Sequence, residues 1–359
     1  ANPARGEEQR PIATVPEIAV VLPDEVEYAR ANAPFDRMIT VSVRSAATQP
    51  RDVDVRLTLP PGLRADSASR RVSLRPFGAA NLAFRVRGTL APGRYSIAAT
   101  ASTNDAQFHL GYLPIEYEHI RPLRYFRSAE TQLQAVNVAY ASTLRVGYVP
   151  GVGDNVAPML EELGIPVTML NANALAQTNL SRFTTIVIGP RAFAANDALV
   201  ATNSAIMEFA RKGGTVVTQY GRDEMTRLGT LPYPITMTRQ PDRVTEEDAP
   251  VRMLRPSAPI LTRPNRIDDA DFAGWVQERA TFMPHTFDPR YRTVLSMHDT
   301  GEPPTEASIL VAPVGRGVYI YTTLSFFRQL PAGNPGAARL FVNLLSAKSD
   351  AVPATTATR

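Results

Sequence analysis

The residues with the clearest chemical potential in this 359-residue chain are a strand–turn–helix stretch, LRVGYVPGVGDNVAPMLEELG, from Leu144 to Gly164. A glycine-rich turn between a strand and a helix is where many phosphate and nucleotide sites begin. Gly151 and Gly153 supply two glycines, but Val156 stands where a third would complete GxGxxG, and no Gly-Lys-Ser/Thr follows. Asp154 and Asn155 sit where a helix N-cap belongs, and their side chains can satisfy the N–H groups that a phosphate would use. A carboxylate there also repels an anionic ligand. The spacing predicts a capped turn that opens a fold, not a nucleotide site.

Other reactive groups are spread thinly. IDDADF supplies Asp268, Asp269 and Asp271, and TEEDAP supplies Glu246, Glu247 and Asp248. Paired acids can cleave glycosides, but such runs in loops read as solvated surface or helix caps. The histidines are His109, His119, His285 and His298, none paired with a carboxylate at metal-ligand spacing. The chain has no cysteine, which removes disulfides, thiolate metal sites and cysteine nucleophiles. No metal and no cofactor are expected.

Two segments combine aromatic and basic residues, the types enriched at interface hot spots. EYEHIRPLRYFR carries Tyr117, Tyr125 and Phe126 with Arg121, Arg124 and Arg127. FAGWVQERATFMPHTFDPRY carries Trp275, Phe282, His285, Phe287 and Tyr291. Each reads either as a docking or sugar-stacking face or as packing, of a linker in the first case and an insertion in the second.

Composition bounds the rest. The net charge is +4 and the pI about 9.4, and the only lysines are Lys212 and Lys348. The arginines are scattered and accompany no nucleic-acid motif, so nucleic acid is not an expected partner. They leave a surface suited to acidic proteins or anionic head groups. No apolar run approaches the ~18 residues of a membrane span. A start at Ala1 suits a mature chain left by cleavage after a small residue, or a trimmed one.

The elements that must position these residues fall into two rhythms. Residues 11–118 alternate apolar and polar positions in short runs (RMITVSVRS, RDVDVRLTLP, RRVSLRPF, ANLAFRVRG, GRYSIAATAS) separated by Pro-Gly turns. This predicts an antiparallel β-sandwich. Residues 119–143 read as a linker with a short helix toward its end. From 144 to 348, strand-like VGYV, TIVI and TVVTQ alternate with helix-like NVAPMLEELG and DALVATNSAIMEFARKGG. That alternation predicts a parallel sheet with helices on both faces. Gly315-Arg316-Gly317 marks a hairpin, and PGAARLFVNLLSAK a closing helix. The ends, 1–10 and 349–359, read as disordered tails.

LTLPPGL and LAPGRYSIAA resemble the NEW3-like immunoglobulin sandwich that accompanies secreted bacterial glycan-active enzymes, over about residues 35–103. EHIRPLRYFR, LRVGYVPGVGDNVAPMLEELG, IVIGPRAF, GGTVVTQYGRDEMTRLG, LTRPNRIDDADFAGWVQERATFMPHTFDPRY and SFFRQLPAGNPGAARLFVNLL extend a further resemblance from about 119 to 346. It is to the non-catalytic C-terminal region of secreted bacterial PIG-L-type (LmbE-like) de-N-acetylases, whose last part is flavodoxin-like, in the manner of class I glutamine amidotransferases. That resemblance implies a doubly wound parallel sheet. The deacetylase zinc motif of Ala-His-Pro-Asp-Asp type is absent. In the amidotransferase fold a cysteine occupies the sharp turn after a central strand. Here the resemblance puts Gln219, Tyr220 and Gly221 at that turn, and Phe326 and Phe327 where a partner histidine would follow. Nucleophile and base are both missing, so no enzyme activity is expected.

The expected function is that of an extracytoplasmic (periplasmic) interaction protein, an extrinsic scaffold subunit bound to other subunits at a membrane surface, of respiratory or photosynthetic type undecided. A glycan-binding accessory region of a deacetylase, or a degenerate hydrolase, remain the alternatives.

Overall fold

The computed structural model describes residues 13–117 and 119–353. The chain divides into two compact units, Ala1–Ala135 and Val136–Arg359. Among the described residues no helix is long and apolar enough to cross a membrane.

The first unit is a β-sandwich. Its strands are β1 Ile18–Val21, β2 Val26–Arg30, β3 Phe35–Ser45, β4 Arg51–Thr58, β5 Leu63–Ala65, β6 Arg70–Leu74, β7 Ala79–Gly88, β8 Gly93–Ser102, β9 Gln107–Phe108, β10 Leu110–Ile115, β11 Leu123–Ser128 and β12 Glu130–Val136. One sheet runs β1-β3-β7-β5 and the other β2-β12-β8-β4-β6. Alternation decides the inner faces. Ile39, Val41 and Val43 of β3, Leu82, Phe84 and Val86 of β7, and Ile97, Ala99 and Ala101 of β8 share one buried cluster, while Arg85 and Arg87 face out. Each buried Val, Leu, Ile or Phe contributes about 1.5–3 kcal/mol. The Pro60-Pro61-Gly62 turn needs its glycine: φ is +96° at Gly62, and a Cβ there would lie 2.5 Å from the Thr89 carbonyl oxygen.

One expectation fails here. Residues 119–143 are not a linker with a helix. They supply β11 and β12, and β12 pairs antiparallel with β8 from Glu130↔Ala98 to Ala135↔Gly93. Leu133, Ala135 and Thr131 are buried, so the period of two that defines the other strands continues into ETQLQAV. The 1–10 tail lies outside the described residues.

The second unit holds a seven-stranded mixed sheet. Its first part is β13 Val146–Val149, α1 Val156–Glu162, β14 Val167–Met169, β15 Thr185–Ile188, α2 Ala192–Ala195, α3 Asp197–Arg211 and β16 Thr215–Gln219. There follow β17 Ile235–Thr236, β18 Asp242–Val244, β19 Val251–Met253, α4 Pro259–Thr262, β20 Ala280–Met283, β21 Thr286–Phe287, β22 Arg292–Thr293 and β23 Leu295–Met297. Finally come β24 Ile309–Val314, β25 Gly317–Thr322, α5 Phe326–Gln329 and α6 Pro335–Ser346. The sheet order is β14-β13-β15-β16-β25-β24-β22. The first five are mutually parallel, and β24 and β22 are antiparallel additions. Every residue of β13, β15, β16 and β25 is buried, the mark of a sheet covered on both faces. The α3 helix is capped by Asn196, which accepts from Ala198 N, and α6 by Asn334, which accepts from Ala337 N.

Between β16 and β24 the chain forms small antiparallel pairs, β17–β21, β18–β20 and β19–β23. The YRTVLSMHD stretch divides between the large sheet (β22) and the β19 pair (β23). The expected disordered tail begins too early at 349. Ala351 and Val352 are buried, and Ala351 O accepts from Ile260 N at 3.1 Å. The Arg292 guanidinium donates to Val352 O, and Arg263 pairs with Asp350 at 2.9 Å, so the docked turn is held by polar contacts as well. Residues 354–359 lie outside the described range.

Candidate functional site

The turn after β13 is closed by its own carboxylate. Asp154 accepts from Gly151 N at 3.0 Å, from Val156 N at 3.1 Å and from Tyr148 OH at 2.9 Å to each oxygen. Asn155, at the N-cap, makes no side-chain cap bond. A Cβ on Gly151 would stand 2.1 Å from Pro190 O, and one on Gly189 would stand 2.1 Å from Asp154 Oδ2. The two turns are packed together at Gly151 and Gly189, and the Asp154 carboxylate takes the N–H groups of Gly151 and Val156 that an anion would use. Gly153 is the turn's left-handed residue, φ +60°.

Tyr148 was not apparent as a member of this group. It is fully buried, donates to Asp154, and accepts from Gln219 Nε2 at 3.0 Å. Burial, followed by the Asp154 charge, pushes its hydroxyl well above the ordinary tyrosine range. The available signal was a tyrosine inside an otherwise apolar, wholly buried strand, which demands a partner. The structure thus joins Gly151, Asp154 and Gln219 through a residue the motif did not mark.

Tyr220 stands beyond Gln219. Its ring stacks on Phe282 (5.9 Å between centroids, 11° between planes) and tilts against Phe327 at 5.0 Å. Arg222 and Arg243 lie 4.6 and 5.3 Å from the Phe282 centroid, and Arg328 4.9 Å from that of Phe327. Burial raises the Tyr220 hydroxyl, with Arg191 and Arg222 opposing. Phe282 (φ +52°) and Arg191 (φ +55°) both hold left-handed backbone, strain of about 1–3 kcal/mol each. A half-buried phenol raised in this way is a poor nucleophile.

Four of the six acids in these runs hold local structure. Asp268 and Asp271 form a reciprocal capping box, and Asp271 meets Arg339 at 2.8 Å. Glu246 accepts from Thr300 N and Oγ, both at 2.9 Å, and Glu247 accepts from Gln277 N. Among the described residues no group of three or more histidines, aspartates or glutamates is placed to hold a metal ion.

The aromatic run from Trp275 to Tyr291 does not make one face. Trp275 is 2% exposed, packs between Phe272 and Phe326, and donates Nε1–H to Asp271 O. Tyr291 is 4% exposed and donates to Tyr233 O. Neither is open as a stacking platform, a correction with a plain cause: each buries its ring and satisfies its polar tip on a backbone carbonyl. Phe282 and Phe287 are half-buried, and His285 is exposed with Nδ1 3.3 Å from Asp242.

The other segment behaves oppositely. β10 and β11 form a two-stranded hairpin, Leu110↔Ser128 to Ile115↔Leu123, and among the described residues no other strand joins their ladder. Tyr117 is 63% exposed, Leu123 53%, Tyr125 47% and Phe126 40%. Arg121 and Arg124 are exposed, and Arg124 lies 5.6 Å from the Tyr112 centroid. Arg127 has a different task. Its guanidinium donates to Leu22 O and Pro23 O, tying the hairpin base to the sandwich. Gly111 permits close approach, since a Cβ there would stand 2.0 Å from Val20 O.

Fold and site together define a β-rich chain with a sandwich, a covered mixed sheet, one closed turn and one exposed aromatic hairpin. No protein-family model matches it. No curated protein matches it. Solved structures overlap it in part. The α2-macroglobulin of E. coli is 18% identical over 34% of this chain, which spans 7% of that protein, at a TM-score of 0.24. A FixG-related protein from Vibrio parahaemolyticus is 9% identical over 34% of this chain and 98% of its own, at 0.23. The cold-adapted β-galactosidase of Rahnella sp. R3 is 13% identical over 59% of this chain and 32% of its own, at 0.33.

Proposed function

We propose that the protein is a non-catalytic, extracytoplasmic interaction protein, an extrinsic scaffold subunit held against other protein subunits at a membrane surface. The hairpin of residues 110–128 is its docking element. One observation carries this reading: Tyr117, Leu123, Tyr125 and Phe126 are all exposed, on the tip and the two faces of a hairpin whose base is fastened through Arg127. Exposed aromatics flanked by Arg121 and Arg124 suit a partner patch that is apolar with an acidic rim. The second unit is read as a flavodoxin-like domain of the amidotransferase kind. Its parallel strands run second-first-third-fourth-fifth in chain order, the doubly wound order. In it the Asp154 turn and the Tyr220 elbow serve packing. The resemblance to secreted proteins supports a location outside the cytoplasm, and the absence of cysteine is compatible with it.

The test is native electrophoresis and pull-down from source membranes with the wild-type chain and a Tyr117→Ser/Tyr125→Ser variant. The wild type is expected in a larger assembly and the variant to be released from it. A wild-type chain running only as a free monomer overturns the reading. The same exposed tyrosine rings motivate a second reading, a glycan-binding accessory region. Calorimetry with amino-sugar polymers separates the two, because only that reading expects heat of binding at millimolar sugar.

A further inference from the structure

A cavity of about 530 Å³ opens in the second unit, where α3 ends and the chain leaves α6. That size lies within the about 300–1,000 Å³ usual for small-molecule sites. Its walls include Leu175, Leu180, Phe183 and Phe209, all buried, with Lys212 and Lys348 at the opening. The protein has 38 basic residues and only two are lysine. Both line this one cavity.

Helix ends explain part of this. Lys212 is the C-cap of α3, and Lys348 follows the α6 C-cap Ala347, where a cation complements the negative end of the helix dipole. Arginine meets that need equally well and does so beside them. Arg211 occupies the last turn of α3, and Arg316 donates to Lys212 O at 3.1 Å. What distinguishes lysine is a compact ammonium on a flexible stem, a point charge that can follow a small anion into a narrow opening. The cavity's one acid, Glu208, is already shared by Arg211 (3.3 Å) and Lys212 (3.5 Å). Lys348 has no ion pair among the described residues. The hydroxyls on the wall are engaged: Thr178 Oγ donates to Ala174 O and Ser181 Oγ to Asn179 Oδ1. Among the described residues Lys348 is therefore the ammonium left without an ion pair above an apolar floor, and Lys212, which shares Glu208 with Arg211, stands beside it.

We infer that this cavity binds a monoanionic amphiphile, a carboxylate or sulfate on an apolar body, with Lys212 and Lys348 on the anion and Leu175, Leu180, Phe183 and Phe209 around the chain. The site is independent of the assembly role. Calorimetry of the full chain with octanoate, and with octanol as the uncharged analogue, tests it. Octanoate is expected to bind one to one, at least tenfold tighter than octanol. Lys212→Gln with Lys348→Gln is expected to bring octanoate down to the octanol level without changing octanol binding. Ala205→Trp, which fills the cavity from α3, is expected to abolish both. Absence of octanoate binding at millimolar concentration, equal affinity for octanol, or an unchanged affinity in the double lysine variant overturns the inference. The lysine pair is solvent-exposed, so that variant decides the matter even where Ala205→Trp does not fold, which its melting curve reports.

Discussion

The hairpin around Tyr125 and the segment around Trp275 have the same residue types and opposite fates. Both mix large rings with arginine. In the hairpin, Tyr117 and Tyr125 face solvent, while Trp275 and Tyr291 lie inside the second unit. The difference comes from what each strand pairs with. Among the described residues β10 and β11 have no ladder partner but each other, and most of their side chains are exposed. The Trp275 segment is threaded among Phe272, Phe326 and Phe341, whose rings touch in series. Aromatic content alone therefore does not mark a docking surface. An aromatic whose polar tip is left without a backbone acceptor is the better sign.

The contrast breaks most readily at Trp275. Trp275→Ala empties a packed space and orphans Asp271 O, and is expected to cost about 3–5 kcal/mol. Tyr125→Ala is expected to cost less than about 0.5 kcal/mol, since exposed substitutions away from special features rarely do more. Chemical denaturation followed by circular dichroism measures both. Equal losses would mean that the hairpin is as much core as the Trp275 segment.

Asp154 comes next. Asp154→Ala strands the Tyr148 hydroxyl and the Gly151 and Val156 N–H groups, at an expected cost of about 2–4 kcal/mol. Asp154→Asn keeps an acceptor and is expected to cost about half as much. A loss within error for Asp154→Ala would mean that the turn is held by something other than its carboxylate, and would reopen it as a ligand site.

The two units are also expected to part at high pH. Tyr148, Tyr220, Tyr291, Tyr319 and Tyr321 all lie in the second unit, and burial raises the hydroxyl of each. The folded state thus favours the protonated phenol. That stability is fully present below the ordinary tyrosine pKa of about 10 and is lost as pH rises toward the higher folded values. Trp275 is the only tryptophan in the chain and reports on the second unit. Its emission maximum is expected to shift to the red in the alkaline range before the sandwich loses its circular dichroism. Loss of the sandwich signal first would contradict the assignment of the alkaline weak point.

Much of the scaffold was legible in the sequence. Alternation in RMITVSVRS and ANLAFRVRG located β3 and β7, and the buried runs VGYV, TIVI and TVVTQ located β13, β15 and β16. β12 was hidden because Gln132 and Gln134 interrupt its apolar count and the aromatic hairpin precedes it. The docked Ala351-Val352 turn was hidden because two small residues carry no periodic signal. Asp154 was legible as a local cap. Its bond to Tyr148, and that residue's bond to Gln219, depend on which strands become neighbours, which local spacing does not encode. The exposure of the hairpin was equally hidden, because it follows from the lack, among the described residues, of a third strand hydrogen-bonded to β10 or β11.

The smallest folding effect is expected where the largest binding effect is proposed. Leu123→Ser with Phe126→Ser removes two exposed apolar side chains that are 53% and 40% open in the isolated chain. With only partial burial to lose, the pair is expected to change stability by no more than about 1 kcal/mol. Truncation of hot-spot residues at an interface typically costs about 2 kcal/mol or more, so the same variant is expected to lose at least about thirtyfold in affinity for the assembly proposed above. Arg127→Gln is the control. It leaves the exposed rings in place but cuts the hairpin from Leu22 O and Pro23 O, so it is expected to reduce stability and binding together. A Leu123→Ser/Phe126→Ser chain that unfolds early would show that the hairpin's outer face is packed within the protein itself. One that folds normally and stays in its assembly would show that docking occurs elsewhere.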